Sequence, residues 1–561
     1  MKALKIIECV PNFSEGQNEQ VIQAISNAVQ ETEGVRLLHV DPGKSTNRTV
    51  VTFAGNPDAV IEAAFQAIKR ASELIDMRKH KGEHPRMGAT DVCPLIPISG
   101  ISMEETIEYS KKLAARVGSE LSIPVYLYEN SASHPSRKNL ADIRHGEYEG
   151  LEEKMKNPDW QADYGPKTFN EKSGATVIGA RDFLIAYNVN LNTKSVKLAN
   201  EIAFDIRENG RPVKDPQTGK LLKNQLGEVV RNPGSCKSLK AIGWYIDEYG
   251  LAQVSMNLTN MHETPLHKAF EECRKSADQL GLLVTGSELV GLVPKKALVD
   301  AGIYFMKKQN RSLGISEDEL IQLAIQSLGL NSLTPFDPQK RIIEYMLEDK
   351  SNKLIDLSLK KFADETASES PAPGGGSVSA YLGALGASLG AMVANLTAHK
   401  KGYEDRLEFF SKYGAQAQSK IKELLFLVDE DTKAFNAIME AFRLPKITPE
   451  EKSIRKKAIR KANLYAIDIP LKTMETAAAC LPILKAMVEN GNPNSISDAG
   501  VGALCIQAAV SGAALNVQIN AASLEDEVKK AAYFEKAETI ETKTGIEVKE
   551  LIITIKKKII S

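Results

Sequence analysis

Cysteine is scarce and unpatterned in this chain. Its 561 residues include six (Cys9, Cys93, Cys236, Cys273, Cys480, Cys505), with no C-x-x-C and no paired zinc spacing. That gives no basis for a disulfide framework or a cysteine-ligated metal module. An excess of one charge is lacking too: 71 basic against 72 acidic residues leave a formal net charge of −1. With no long-range field, an anionic ligand has to be held by a local cluster, and neither nucleic acid nor membrane is expected as a partner. The opening MKALKIIECV lacks a signal-peptide pattern, so a reduced cytoplasmic protein is expected. One stretch is long enough to cross a bilayer, Ser377–Ala398 (SVSAYLGALGASLGAMVANLTA). It is mostly Ala, Gly and Ser, which suits a helix packed tightly inside a helical bundle better than one facing hydrocarbon.

What is present is an ordinary globular composition, 43% apolar and 25% charged with 38 Gly and 24 Pro. It supports buried cores and excludes a wholly disordered or collagen-like chain. The length corresponds to about four average domains.

The first part alternates strand and helix. Leu4–Val10, Val35–Val40, Arg48–Phe53, Asp91–Ile98 and Ile123–Leu127 read as strands. Helices are expected around Val21–Val29, at Pro57–Ile75 and near Met103–Leu121. The order β-α-β-β-α-β, with one helix and strand added, is that of a split βαβ sandwich. A similar order returns in strands Phe183–Leu191, Ala241–Ile246, Ala252–Leu258 and Leu282–Val284, with helices after Thr193 and over Pro265–Leu280. The N-terminal half is therefore expected to be α+β: two ferredoxin-like-plan sandwiches, 1–182 and 183–347, facing a cleft, a usual place for a ligand. Asn209–Ser235, rich in Asn-Gly, Asp-Pro and Pro-Gly, reads as an exposed hairpin or insertion. Polar EDKSNK opens a linker over 348–356, and strand signals nearly vanish beyond it. An all-α bundle is expected over 357–561, with helix starts such as the capping box of Thr448 and Glu451 around Pro449.

Several loops concentrate chemistry. Lys79-His80-Lys81-Gly82-Glu83-His84-Pro85-Arg86-Met87-Gly88 contains H-x-x-E-H, a zinc-hydrolase signature. That signature needs both histidines on one helical face, and Gly82 inside it with Pro85 after it opposes a helix. A His on a tight loop beside a cleft is instead suited to proton transfer, because its free pKa lies near neutrality. Asn12, in Pro11–Gly16, and Asp41, in the stretch joining two strands, read as parts of plain turns or of polar loops at the cleft rim. The loop Gly165-Pro166-Lys167-Thr168-Phe169-Asn170-Glu171-Lys172-Ser173-Gly174 is either a linker or a ligand clamp.

In the helical half, Pro371-Ala372-Pro373-Gly374-Gly375-Gly376-Ser377 leads into the small-residue helix. Consecutive glycines there let backbone N–H groups approach an anion, although the spacing is not that of a Walker loop. It is either an ordinary hinge or a loop shaped around a ligand. Leu424, Leu427, Val428, Phe435, Ile438 and Phe442 recur at helical spacing and should face the core. Asp431 falls on that stripe. An inward carboxylate is costly unless it is paired or lines a site, and burial raises its pKa toward use as an acid.

Taken together these residues resemble the bifunctional formimidoyltransferase–cyclodeaminase family of histidine breakdown. ECVPNFSEG, STNRTV, DMRKHKGEHPRMGATDVCP, GATVIGARDFLIAYNVNL, IGWYIDEYGLAQVSMN and GSELVGLVPKKAL are similar to its transferase half. PAPGGGSVSA, LVDEDTKAFNAIMEAFRLPK and the SISDAGVGAL helix are similar to its cyclodeaminase half, so the likeness covers nearly the whole chain. The family implies two steps. The formimino group of N-formimidoyl-L-glutamate moves to N5 of tetrahydrofolate, and N10 attack then expels ammonia to give 5,10-methenyltetrahydrofolate. Both need a placed acid and base, and neither needs a metal. The resemblance implies His84 as transferase acid/base, Gly165–Gly174 as the folate-contacting loop with Asp41 and Asn12 beside it, and Asp431 as cyclodeaminase acid. It implies that Gly374, Gly375, Gly376 and Ser377 contact folate or shape that site. It also implies a homo-oligomer assembled through both halves, using polyglutamylated tetrahydrofolate whose tail Lys340, Arg341, Lys350, Lys353, Lys360 and Lys361 could hold. The alternatives are a transferase fused to a methenyltetrahydrofolate cyclohydrolase-type bundle, a zinc hydrolase using the H-x-x-E-H loop, and a non-catalytic folate-binding scaffold.

Overall fold

The computed structural model describes residues 5–44, 46–82, 84–348 and 353–560. Ser45, Glu83 and Lys350, each part of a motif or cluster named above, lie outside the described residues. The chain forms two compact units, one of Met1–Ala301 with Ile325–Glu348, the other of Gly302–Ala324 with Asp349–Ser561.

The first unit begins with β1 (Ile6–Cys9), which Pro11, having no N–H to give, separates from its continuation β2 (Asn12–Phe13). Asn18 then caps α1 (Glu19–Gln30) by accepting from the N–H groups of Gln20 and Val21. β3 (Val35–Gly43) and β4 (Arg48–Gly55) form a hairpin, and Asn56 with Pro57 starts α2 (Pro57–Leu74). β5 (Thr90–Ser99) precedes α3 (Met103–Glu120), whose start is a capping box of Ser102 and Glu105. β3 pairs with β4, β4 with β1 and β1 with β5, all antiparallel, which is the split βαβ order.

Two further strands widen this sheet to seven. β6 (Val125–Leu127) and, after short helices α4 (Leu140–Arg144) and α5 (Leu151–Lys156), β7 (Thr176–Ala180) join parallel to one another, with β7 parallel to β5. Phe13, Phe53, Ile68 and Leu95 are fully buried between the sheet and its helices.

A second sheet in the same unit repeats the plan. β8 (Ile185–Leu191) leads to α6 (Val196–Ile206), and a small exposed hairpin of β9 (Arg211–Pro212) and β10 (Arg231–Asn232) occupies the turn-rich stretch. β11 (Leu239–Ile246) and β12 (Leu251–Leu258) pair around a turn that Gly250 closes at φ +65°, a conformation costly for other residues. α7 (Leu266–Gln279) and β13 (Val284–Val290) complete it, in the order β11-β12-β8-β13. α8 (Lys295–Lys308), α9 (Glu317–Leu328), α10 (Pro338–Arg341) and α11 (Ile343–Leu347) follow.

The second unit is helical: α12 (Leu359–Thr366), α13 (Gly375–Ala398), α14 (Leu407–Arg443), α15 (Pro449–Ala478), α16 (Leu481–Asn490), α17 (Ile496–Ala521) and α18 (Glu527–Ile560). Thr448 and Glu451 form the expected capping box on α15. α13 packs against α14 and α17, with small residues inside. A Cβ on Gly386 would come within 2.8 Å of the Gly502 carbonyl oxygen, so the pair sets how closely α13 and α17 approach. By length and hydropathy both helices could cross a bilayer, yet 61% and 50% of their most apolar windows are buried within the protein.

Two expectations are corrected. Asn12 lies in a strand and Asp41 lies inside β3, paired with Val50, so the connection between the two strands is shorter than the sequence suggested. Phe435 and Phe442 leave the core stripe of α14, at 37% and 49% exposed, because Ala434 and Ala441 turn inward in their place. Gly302–Ala324, which holds the end of α8 and the start of α9, groups with the second unit, while the main change of unit falls at Glu348 and Asp349. The Asn395 amide donates to Gly314 O (2.6 Å) and accepts from the Ser312 hydroxyl (2.8 Å), binding that segment to the helical unit.

Candidate functional site

In the first unit, Asn47 organises three loops. Its φ of +46° turns the chain into β4. Its side-chain oxygen accepts from Gly16 N (2.9 Å), its amide donates to Lys81 O (2.8 Å), and its own carbonyl meets His80 Nε2 (3.0 Å). Thr49 and Ser14 fasten the same loops, donating to Glu15 O and Gly88 O. The sequence motifs around Asn12, Asn47 and His84 are thereby brought to one place.

His84 is half-buried there. Its Nδ1 lies 2.7 Å from Pro85 O, so Nδ1 carries the proton and Nε2 presents its lone pair to the guanidinium of Arg48. Burial and then the Arg48 charge hold the His84 imidazole below its ordinary pKa, and Arg144 adds to this. Burial also lowers Arg48, whose Nε is enclosed without a hydrogen-bond partner among the described residues. Asp91, 1% exposed, binds Arg144 and accepts from Met87 N (3.0 Å), which fixes the far end of the His84 loop. His84 is thus a neutral imidazole in a cationic setting, suited to taking a proton beside an anionic ligand.

His80 has both ring nitrogens engaged, Nε2 with Asn47 O and Nδ1 accepting from Arg86 Nε (3.3 Å). The described residues of this loop form no helix, so the geometry the zinc signature requires is not present in them. Asp41 is exposed and acts electrostatically on Arg48. Asn12 is buried and donates to Val10 O (2.9 Å), a structural role where β1 passes into β2.

The loop Gly165–Gly174 is tied to the His84 segment at one end only: Gly174 bridges to Gly88, and Ala89 N donates to Ser173 O (2.8 Å). Lys172 donates to Glu73 O, Asn170 to Ser122 O, and the Phe169 ring packs at a tilt against Tyr148, so the middle of the loop is braced elsewhere.

In the helical unit the expected residues do converge. Pro371, Ala372, Gly374–Gly376, Asp431, Thr432 and Phe435 line a cavity of about 200 Å³ with Ala466, Asn516 and Asn520. One Asp431 oxygen accepts from the Ser377 N–H (2.8 Å) and hydroxyl (3.1 Å), at the first turn of α13. Gly376 has to be glycine because a Cβ would run into the Asp431 carboxylate. Burial pushes the Asp431 carboxyl above the usual Asp range, and the two Ser377 hydrogen bonds only partly offset it. Asp429, one step off the stripe, accepts instead from Leu354 N (2.7 Å).

Arg48, Asn47, Asn516 and Asn520 are site residues that sequence reading did not single out. Arg48 was visible inside STNR, but its partner lies 36 positions away. The two asparagines sit four apart on α17 and so share a face, the one available signal.

Known proteins resemble the chain from near its start to near its end. Residues 6–181 match the family model of the formiminotransferase domain, N-terminal subdomain, residues 186–348 that of the formiminotransferase domain, and residues 358–539 that of formiminotransferase-cyclodeaminase. The formimidoyltransferase-cyclodeaminase of Mus musculus is 46% identical over 529 residues, 94% of each chain. A glutamate formimidoyltransferase of Streptococcus pyogenes is 44% identical over 306 residues, 54% of this chain and 95% of that one. A methenyltetrahydrofolate cyclohydrolase of Methylorubrum extorquens is 35% identical over 202 residues, 36% of this chain and 97% of that one.

Proposed function

The chain belongs to the formimidoyltransferase-cyclodeaminase family, and from that premise we propose that His84 and Asp431 divide its two reactions between the two units. The enzyme transfers the formimino group of N-formimidoyl-L-glutamate to tetrahydrofolate, giving L-glutamate and 5-formimidoyltetrahydrofolate. It then closes that product to 5,10-methenyltetrahydrofolate with release of ammonia. The observation that carries the division is that each residue lies in a different unit, with its own loop and its own electrostatic setting.

In transfer, folate N5 attacks the formimino carbon and must lose its proton. His84 Nε2 takes it, because the Nδ1–H bond to Pro85 O fixes that tautomer and Arg48 favours the neutral ring. The imidazolium so formed returns the proton to the departing glutamate nitrogen. Gly165–Gly174 contacts the folate, with Asp41 and Asn12 near its entry; the join between Gly174 and Gly88 supports this by linking that loop to the His84 segment.

In ring closure, N10 attacks the same carbon, loses its proton to Asp431, and the formimino nitrogen leaves as ammonia after receiving it. Gly374–Ser377 shapes the wall against which the folate rests.

The enzyme is further read as a cytoplasmic homo-oligomer of histidine breakdown. Six free cysteines, five of them buried, suit a reducing compartment, and exposed Phe435, Met439 and Phe442 on α14 give an apolar face for a second copy.

The test uses the intact chain with tetrahydrofolate and N-formimidoyl-L-glutamate, following ammonia and methenyl absorbance together. Both should rise. The second reading, a cyclohydrolase-type bundle, is favoured by the Methylorubrum extorquens relative; hydrolysis of added methenyltetrahydrofolate to the formyl form, with no ammonia from 5-formimidoyltetrahydrofolate, would replace the first.

A further inference from the structure

Among the described residues lining the Asp431 cavity the polar side chains are Asp431, Thr432, Asn516 and Asn520, with no lysine or arginine. Asp431 itself leans only on Ser377, with no cationic side chain among the influences on its charge. A half-buried carboxylate without a counter-charge among the described residues suits a ligand that brings one.

Across the same cavity, α17 presents two carboxamides whose orientation is fixed. Asn516 Nδ2 donates to Gly512 O (2.9 Å), and Asn520 Nδ2 donates to Ala466 O (2.8 Å). With each amide nitrogen anchored on a backbone carbonyl, each side-chain oxygen is the atom left to accept. Among the described residues the Asn516 oxygen has no protein partner. That side chain reaches the glycine loop: a Cβ on Gly375 would stand 3.4 Å from its nitrogen and 4.0 Å from its oxygen.

We infer that Asn516 is a specificity-determining residue of the ring-closing site: its side-chain oxygen accepts an N–H of the amidinium carried by 5-formimidoyltetrahydrofolate and so selects that cation over a 5-formyl group. The inference rests on the ring-closing role proposed for this cavity and adds to it the basis of substrate choice. An amidine is protonated at neutral pH and offers N–H donors with positive charge, which match Asn516 Oδ1 on one side and the Asp431 carboxylate on the other. A formyl group has the same shape but puts a carbonyl oxygen where those donors would be. Acceptor would then face acceptor, and the oxygens that the bound ligand encloses would be left unpaired.

The experiment compares wild-type, Asn516→Ala and Asn516→Asp full-length enzyme in ammonia release from 5-formimidoyltetrahydrofolate, with 5-formyltetrahydrofolate as competitive inhibitor. Asn516→Ala should raise KM for the formimidoyl substrate roughly tenfold, the value of one charge-assisted hydrogen bond, and leave the Ki of the formyl compound within about twofold. Asn516→Asp keeps an acceptor and adds charge, so the ratio of Ki to KM should exceed that of wild type. A ratio constant across the three proteins overturns the inference, since a merely structural residue would move both constants together. Asp431→Asn, run alongside, separates the two levels: ring closure surviving that change would overturn the site assignment itself, whereas its loss with a constant ratio would overturn only the role of Asn516.

Discussion

His84 Nε2 lies against the guanidinium of Arg48, so the imidazole meets a positive charge on the edge where its own second proton would sit. Burial and that charge depress the His84 pKa. For a base the consequence has a definite sign. The active neutral form persists below the ordinary value near 6.5, and transfer is lost only as pH falls through a lower one. Arg48→Gln should move the acid limb of kcat/KM for transfer up toward about 6.5, as read from a pH–rate profile. An unmoved limb would separate Arg48 from the titration of His84.

Replacing His84 by Ala should cut transfer by roughly two to four orders of magnitude, the range for a lost acid/base. Ammonia release from supplied 5-formimidoyltetrahydrofolate should remain at the wild-type rate. Loss of both activities in a folded protein would contradict the division between units.

Asp431→Asn should do the converse, abolishing ring closure while transfer continues and 5-formimidoyltetrahydrofolate accumulates. Burial raises the Asp431 pKa and the Ser377 bonds lower it. The ionised, proton-accepting form therefore disappears on acidification at a pH above the usual carboxylate range. Ser377→Ala removes one of those bonds and should shift the acid limb of ring closure further upward; a downward shift would show that the hydroxyl acts otherwise.

Gly386→Val or Gly502→Val should destabilise the helical unit by about 1–3 kcal/mol or more, because overpacked backbones must separate. Chemical denaturation of the full chain would show an earlier helical transition. Unchanged unfolding would mean that α13 and α17 have slack between them.

Much of this was legible where local rules suffice. The capping box of Thr448 and Glu451, the Pro57 helix start and the repeated β-α-β-β-α-β order all follow from short-range patterns, and all appear in the structure. β7 was not read as a strand because Thr176–Ala180 is short and buried along its whole length, which removes the alternation that marks a half-exposed strand. Asp431 could be found because one polar residue interrupted an apolar stripe, although two phenylalanines used to define that stripe, Phe435 and Phe442, lie outside the buried core. Arg48 and Asn516 stayed hidden because their partners, His84 and the glycine loop, are distant in sequence, and no periodicity encodes such a meeting.

The placement of Gly302–Ala324 with the helical unit gives biosynthesis an order. This stretch leaves the ribosome well before Asn395, His399, Ser411 and Gln418, the side chains that receive Ser312, Leu313 and Gly314. Its turn therefore waits until the chain up to Gln418 has been made, and the later helices close around a piece delivered in advance.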